Sequence, residues 1–260
     1  MWRYRRFRQL LIAAFLAGTV PSAAVFAAPP DRPVVFVPGI LGSRLCQGQD
    51  ILWGNIFSLN NFGKLQISLD RPRPEITSCG LVEKIALLGP FWAVHQYDDV
   101  IATLRKLGYR DGKTLFVFAY DWRLSNFETA KSLQSFIDGT VELRSGKFDL
   151  VAHSMGGIVS RIYLQQFNGT AKVRKVIYLG TPFAGSMNAL ATLSNGWGTF
   201  ANRVAGGLDT IRRTILSFPA FYELFPRYDN CCRIGSESGF QSIDILNYEI
   251  WQRYNWLPAE

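Results

Sequence analysis

A serine framed by small residues is the feature of this sequence best suited to do chemistry. Ser154 stands within AHSMGG (152–157), after an apolar run and before apolar residues that recur at helical spacing. A serine at a tight strand–turn–helix junction needs small residues two positions before and after it, because larger side chains collide with neighbouring backbone. The pattern predicts a nucleophile elbow with Ser154 at its apex and with the Met155 amide facing a developing oxyanion. A buried serine in an ordinary Gly-rich turn is the alternative.

The elements that must position this serine follow from four apolar runs, at residues 34–37, 115–119, 148–152 and 176–179. Nearly continuous apolar strands are typical of a parallel sheet buried on both faces. Helical spacing lies between the runs: one helix is predicted over 97–107, and a second begins at a capping box of Ser125 and Glu128. A third helix follows the serine. This alternation predicts an α/β, doubly wound fold.

The N-terminus predicts an export signal over residues 1–27. Four arginines, Arg3, Arg5, Arg6 and Arg8, precede an apolar run over 10–20 and a small-residue cleavage site at 25–27. We therefore expect a mature chain from Ala28 and a periplasmic or extracellular location, with an uncleaved anchor as the alternative. The same arginines carry half of the net charge of +8. The rest of the chain is only mildly basic, which argues against nucleic acid as a partner.

Four cysteines follow the signal, at Cys46, Cys79, Cys231 and Cys232, and export would expose them to an oxidising compartment. A Cys46–Cys79 bridge would staple the irregular segment between them. For Cys231 and Cys232 two interpretations stay open, a vicinal bridge or partners elsewhere. The spacing of cysteines and histidines offers no zinc pattern, and the chemistry predicted for Ser154 requires no metal or organic cofactor.

Four ordered motifs together resemble the lecithin:cholesterol acyltransferase family: PGILGS (38–43), YDWR (120–123), AHSMGG (152–157) and LGTPFAGS (179–186). That family includes phospholipase A and phospholipid:diacylglycerol acyltransferase relatives. The resemblance implies an α/β-hydrolase with a mostly parallel sheet and with lid and cap insertions. It also implies a lipid acyl ester as substrate, met at a membrane or lipid surface. The serine attacks the ester, and the resulting acyl-enzyme passes its acyl group to an alcohol or to water.

The resemblance assigns roles to single residues. Ser154 is the nucleophile, and the backbone amides of Ile40 and Met155 are the oxyanion donors. Asp121 and Arg123 match a structural pair that fixes a loop after a sheet strand.

The resemblance also divides the chain. Residues 28–190 form the hydrolase core, the loop 46–79 is its lid, and 191–260, with PAFYELFP at 219–226, is a cap-like insertion. Two interpretations of the lid aromatics, Trp53, Phe57 and Phe62, stay open: contact with a lipid surface, or a buried cluster.

The chain departs from the family where the triad acid and histidine are expected. In this fold they follow the serine, whereas the two histidines, His95 and His153, both precede it. The His153 side chain is predicted to diverge from the Ser154 hydroxyl, and His95 is predicted to be a surface or capping residue. We expect the last strands, with the acid and the histidine, to be missing from this chain. The explanations are a fragment of a longer enzyme, an early stop, or a short form that binds lipid without catalysis.

Overall fold

The computed structural model of the protein describes residues 30–55, 57–68, 75–86, 93–144, 146–236 and 239–258. The side chains of 84–86, 93–95 and 236 lie outside that description. The export signal predicted over 1–27 also lies outside the described residues and stays a prediction.

Strands and helices alternate along the described chain. The strands are β1 Val34–Val37, β2 Ser43–Gln47, β3 Asp50–Trp53, β4 Ile76–Leu81, β5 Lys84–Ala86, β6 Ala93–His95, β7 Leu115–Val117, β8 Phe148–His153, β9 Val173–Leu179, β10 Arg233–Ser236 and β11 Gly239–Ser242. The helices are α1 Asp98–Lys106, α2 Asn126–Gly139, α3 Val141–Arg144, α4 Met155–Gln166, α5 Met187–Asn195, α6 Thr199–Val204, α7 Leu208–Ile215, α8 Pro219–Glu223 and α9 Tyr248–Arg253.

The central sheet has the strand order β7-β1-β8-β9, and its neighbouring strands run parallel. The predicted α/β class with a parallel sheet is confirmed. All four predicted runs form these strands, with shifts at their ends. The second strand stops at Val117, two residues early, although the Phe118 amide still donates to the Phe36 carbonyl.

The sheet is buried on both faces because its strands alternate apolar side chains between two cores. Val35 and Val37 of β1 point into the larger core with α2 and α4. Val34 and Phe36 point into the smaller core, which contains Ile101 of α1. Helices therefore cover both faces, which is the arrangement that nearly continuous apolar strands predict.

The segment between β1 and α1 contains more structure than the sequence predicted. It forms a three-stranded antiparallel sheet in the order β3-β2-β4 and a hairpin of β5 with β6. A Cys46–Cys79 disulfide joins β2 to β4. These strands escaped prediction because β4 alternates partly and fully exposed positions rather than apolar ones. Long-range pairing and the disulfide hold such strands, and neither leaves a local apolar pattern.

Helix α2 begins where it was predicted, with a different set of hydrogen bonds. Ser125 caps it by accepting a hydrogen bond from the Phe127 amide rather than from Glu128. The Asn126 amide donates to the Glu223 carboxylate, at 2.7 Å. The first turn of α2 is therefore held partly by α8, which comes almost 100 residues later.

Residues after β9 pack on the same core as the sheet. Leu193 of α5, Ile211 of α7 and Phe218 share the larger core with Val35 and Leu150. None of the helices in the described ranges is long and apolar enough to cross a bilayer.

Candidate active site

Ser154 sits at a strained turn between β8 and α4. Its backbone has φ 52° and ψ −126°, a conformation that a residue with a side chain adopts only when its surroundings enforce it. The Ser154 amide donates to the Leu179 carbonyl at 2.9 Å, and α4 begins at the next residue. Such strain is common at nucleophile elbows because it lifts the side chain out of the helix and the strand.

Gly156 is small because the backbone of β1 passes against it. A Cβ atom at this position would lie 2.4 Å from the carbonyl oxygens of both Val37 and Pro38. Ala152, the other small residue of the motif, is fully buried in β8 between Val37 and Tyr178 of the neighbouring strands. The two small positions thus allow the elbow to lie against the end of β1, where the loop 38–43 begins.

Four aromatic side chains anchor the loop 38–43, which we call the oxyanion loop. The hydroxyl of Tyr120 donates to the Pro38 carbonyl, and the Gly39 amide donates to the hydroxyl of Tyr97. The indole N–H groups of Trp53 and Trp122 donate to the carbonyls of Leu41 and Ser43. Each of these bonds is between 2.8 and 3.0 Å long.

These bonds hold the backbone on both sides of Ile40. The loop also closes on itself, since the Gly42 amide donates to the Gly39 carbonyl at 3.1 Å. A donor that stabilises charge in a transition state works best when it is already in place before the charge appears. The oxyanion loop therefore has the rigidity that an oxyanion donor at Ile40 requires.

Asp121 and Arg123 form a buried ion pair. The Arg123 Nη2 to Asp121 Oδ2 distance is 2.5 Å, and the side chains are only 7% and 10% exposed. Arg123 Nη1 also donates to the Leu65 carbonyl at 2.8 Å. The pair therefore ties the chain after β7 to the lid loop, which is a positioning arrangement rather than one that presents a carboxylate to Ser154.

A cavity of about 240 Å³ is lined by Ser154 and by both Ile40 and Leu41 of the oxyanion loop. Its aromatic walls are Phe62, Trp122, Trp197, Phe218 and Phe221. Apolar and aromatic walls favour an apolar group such as an acyl chain over a polar ligand. A larger cavity of about 580 Å³ lies along α4, lined by Arg161 and Phe183 among others, and Ser154 does not line it.

The lid aromatics divide between the two interpretations. Trp53 and Phe62 are buried, and their rings pack edge to face at 5.9 Å. Phe62 also contacts Trp197 edge to face at 4.5 Å. Phe57 is 57% exposed. Trp53 and Phe62 thus form a buried cluster beside the cavity, and Phe57 alone of the three remains available to a surface.

The two histidines have different places in the fold. His153 ends β8, and its Nδ1 lies 2.8 Å from the Tyr97 hydroxyl. Burial lowers the pKa of His153, so its neutral form is favoured. His95 ends β6, opposite Lys84, and its side chain lies outside the described part of the molecule.

The Ser154 hydroxyl has no hydrogen-bonded base among the described residues. His153 is the adjacent imidazole, and the bond it makes is to Tyr97. The structure therefore brings together Ser154, Ile40 and Met155 as neighbours at one end of the sheet, with Asp121 and Arg123 as support. It places no acid–histidine pair beside them within the described ranges.

Tyr97 and Tyr120 are the site residues that sequence reasoning missed. From the sequence, Tyr97 was assigned only to the apolar face of the helix predicted over 97–107, and Tyr120 only to the motif YDWR (120–123). Burial raises the pKa of both phenols, so they remain neutral hydrogen-bonding groups. The sequence signal that could have found them is a general one, since the hydroxyl of a buried tyrosine usually has a hydrogen-bond partner.

The remaining cysteines are in contact but are not joined. The sulfur atoms of Cys231 and Cys232 lie 2.7 Å apart, and both residues are free thiols. Burial and the neighbouring thiol raise the pKa of Cys232 to about 12. No group of three or more His, Cys, Asp or Glu residues in the described ranges is arranged to hold a metal ion.

Comparison with known proteins gives concordant results. Residues 83–234 match the sequence profile of the lecithin:cholesterol acyltransferase family. The lecithin-cholesterol acyltransferase-like 4 protein of Arabidopsis thaliana is 28% identical over 239 residues, which cover 77% of this chain and 43% of that protein. Phospholipase A(1) LCAT3 of the same plant is 31% identical, covering 60% of this chain and 42% of that protein.

The chain thus spans less than half the length of these two curated relatives. Among solved structures, a chain of the Tle4–Tli4 complex superimposes with a TM-score of 0.53 at 16% identity, covering 89% of this chain and 65% of that one. At this identity the likeness concerns the fold alone.

Proposed function

The chain belongs to the lecithin:cholesterol acyltransferase family, and from this premise we propose that it performs serine-dependent acyl transfer on a lipid ester. The observation that carries the proposal is Ser154, held in a strained elbow and lining an aromatic cavity next to the oxyanion loop. Relatives named as a phospholipase and as a phospholipid:diacylglycerol acyltransferase support the same chemical class.

In the proposed reaction the Ser154 oxygen attacks the carbonyl carbon of the ester. A new bond forms between that oxygen and the acyl carbon, and the carbonyl oxygen becomes an oxyanion facing the amides of Ile40 and Met155. When the tetrahedral intermediate collapses, the ester C–O bond breaks and the alcohol leaves with the serine proton. Water or a second alcohol then attacks the acyl-serine and releases the free acid or a new ester.

Each oxyanion donor is typically worth about 3–4 kcal/mol of transition-state stabilisation. The reaction also needs a general base to accept the serine proton, because a serine hydroxyl is a weak nucleophile without one. The described side chains place no base at Ser154, so the proposal assigns to them the nucleophile, the oxyanion donors and the acyl cavity only.

The same observation favours a second candidate function, lipid binding without catalysis. A folded domain with an apolar cavity and no base retains acyl chains without transferring them. The two candidates differ in one respect: catalysis depends on the Ser154 hydroxyl, whereas binding depends on the cavity.

An alkyl fluorophosphonate separates these candidates. Catalysis, with a base supplied from outside the described side chains, predicts that the fluorophosphonate adds one phosphonyl group to the 260-residue chain and none to Ser154→Ala, as measured by intact mass, with parallel loss of p-nitrophenyl ester hydrolysis. Ser132→Ala is the matched control, since Ser132 is an exposed serine on α2. Folded wild-type protein that neither labels nor exceeds Ser154→Ala in turnover overturns the catalytic proposal.

Tryptophan quenching tests the cavity independently of turnover. Trp122 and Trp197 line it, so a fatty acid brominated along its chain should quench their fluorescence. Each additional buried methylene contributes about 0.8 kcal/mol, or roughly fourfold in affinity, until the cavity is full. Thr192→Phe narrows the cavity and should weaken binding, and Trp197→Phe should reduce quenching without abolishing binding. Equal quenching of wild type and both variants contradicts acyl binding here.

A further inference from the structure

The hydroxyl of Tyr97 bridges the oxyanion loop and the elbow. It accepts a hydrogen bond from the Gly39 amide at 2.8 Å, and it lies 2.8 Å from His153 Nδ1. The Tyr97 ring is buried and packs edge to face against both Phe36, at 5.1 Å, and His153, at 5.5 Å. A single side-chain atom thus contacts the backbone of the oxyanion loop and a side chain of the elbow.

One of the two bonds has a fixed direction. A backbone amide can only donate, so the Tyr97 oxygen is the acceptor of the Gly39 bond. Toward His153 the hydroxyl can either donate or accept, because a phenol oxygen has a second lone pair and the roles follow the imidazole tautomer. In both cases the bond joins the Tyr97 oxygen to Nδ1.

The two bonded residues are the immediate neighbours of the proposed reacting groups. Gly39 precedes Ile40, and His153 precedes Ser154. The two segments also touch directly, since a Cβ atom at Gly39 would lie 2.8 Å from Ser154 Cβ and 3.2 Å from His153 Nδ1. Any shift of the loop relative to the elbow therefore changes the distance between the Ile40 amide and the serine oxygen.

Tyr97 itself stands outside the cavity. Ile40, Leu41 and Ser154 line the cavity, and neither Tyr97 nor His153 is among its lining residues. The phenol therefore affects an acyl substrate only through the Gly39 backbone and the His153 side chain that it contacts.

We propose that Tyr97 is a positioning residue that sets the spacing of the oxyanion loop and the nucleophile through its bonds to Gly39 and His153. This inference rests on the proposed function for its catalytic consequence. The bond itself can be measured without turnover.

Tyr97→Phe removes the bridging atom and keeps the ring and its contacts with Phe36 and His153. We expect kcat for p-nitrophenyl esters to fall about tenfold to a hundredfold, as misplacement of a reacting group by about 1 Å does, with KM unchanged because the cavity is untouched. Tyr163→Phe, in a buried tyrosine on α4, is the control and should leave both constants unchanged. A purely structural role predicts instead a fall in stability with kcat per folded molecule unchanged, and that result overturns the proposal.

Nitrogen-15 NMR of the imidazoles reads the bond directly. The sequence contains two histidines, so a His153→Gln variant identifies the His153 signals by their disappearance. We expect the Nδ1 chemical shift of His153 to differ between the wild type and Tyr97→Phe, because the variant removes the hydroxyl that is bonded to this nitrogen. An Nδ1 signal that is the same in both proteins overturns the proposed bridge, whatever the kinetics show.

The two proposals fail in different ways. Wild-type protein that shows neither turnover nor fluorophosphonate labelling overturns the proposed function, and the positioning role fails with it, whereas the Nδ1 signal of His153 still decides whether the bridge exists. Active wild type with an equally active Tyr97→Phe overturns the positioning role alone.

Discussion

Strands β1 and β9 flank β8 on either side, and the two sides differ in how deeply their contacts near the elbow are buried. After β1, four buried aromatic side chains bind the backbone of the oxyanion loop. At β9, Ile177 is 54% and Leu179 is 37% exposed, and Arg174 pairs with Asp149 at the surface. We call the side of β1 and the oxyanion loop the fixed side, and the side of β9 the open side. The fixed side carries a proposed oxyanion donor, and the open side does not. Buried hydrogen bonds are thus concentrated where a shift would disturb the proposed chemistry.

The largest expected effect lies in the ion pair that supports the fixed side. Arg123→Met leaves the Asp121 carboxylate buried without its partner, and we expect the free energy of unfolding to fall by about 3–5 kcal/mol. Arg174→Met breaks the exposed pair with Asp149 on the open side and should lower the free energy of unfolding by less than about 1 kcal/mol. Urea unfolding of both variants measures the difference. Equal losses would remove the contrast between the two sides.

Gly156→Ala should have the next largest effect. The added Cβ meets the backbone of Val37 and Pro38 at 2.4 Å, where neither atom belongs to a movable side chain. We expect a loss of about 3 kcal/mol in unfolding free energy together with displacement of Ser154. Gly139→Ala, at the end of α2 in open space, is the matched control and should be neutral or slightly stabilising. A stable Gly156→Ala variant would show that β1 and the elbow can separate.

The half-buried imidazole of His153, at the end of β8, should make stability depend on pH. Burial lowers the pKa of His153 in the folded state below the ordinary value of 6.5. Its contribution to stability is therefore complete above about pH 6.5 and is lost as the pH falls through the folded pKa, because the unfolded chain binds the proton first. The slope from one such group is at most about 1.4 kcal/mol per pH unit.

Unfolding free energies at pH 7.5 and 5.5 test this, with His153→Gln as the reference that lacks the imidazole. The wild type should lose more stability than the variant between the two pH values. The same loss in both proteins would mean that His153 is as easily protonated in the folded state as in the unfolded chain.

The smallest expected effect is on the open side. Ile177→Thr changes an exposed residue of β9, and we expect the free energy of unfolding to move by no more than about 0.5 kcal/mol. Val35→Thr places a hydroxyl in the fully buried β1 and should cost about 1–3 kcal/mol. Thermal unfolding of the Ile177→Thr and Val35→Thr variants measures both effects. A large effect of Ile177→Thr would show that β9 is buried in solution, and that the open side is covered there.

Local pattern was enough to predict the main sheet. Strands such as Val34–Val37 are apolar along their whole length. The helices between the strands repeat apolar residues every three or four positions. The burial of both kinds of element can therefore be inferred from residues close together in the sequence. The small sheet of β2, β3 and β4 was missed. Strand β4 pairs with β2 about 30 residues away and is joined to it by the Cys46–Cys79 bond, and its exposed positions carry no apolar pattern.

The candidate site divides in the same way. Ser154 was found because its strained turn demands small residues at fixed distances along the chain. The aromatic anchors of the oxyanion loop were not found, because Tyr97 and Tyr120 lie 58 and 82 positions from the backbone groups that they bind. Hydrogen bonds over such separations impose no spacing rule on a sequence.

The bond of 2.9 Å from the Ser154 amide to the Leu179 carbonyl is the last hydrogen bond between β8 and β9, and its donor is the backbone of the serine itself. Opening of the exposed strand at that end must therefore break a bond of the elbow. An amide in such a bond takes up deuterium from solvent only while the bond is open. The exchange rate of this one hydrogen thus measures, over minutes to hours, how often this bond of the elbow opens.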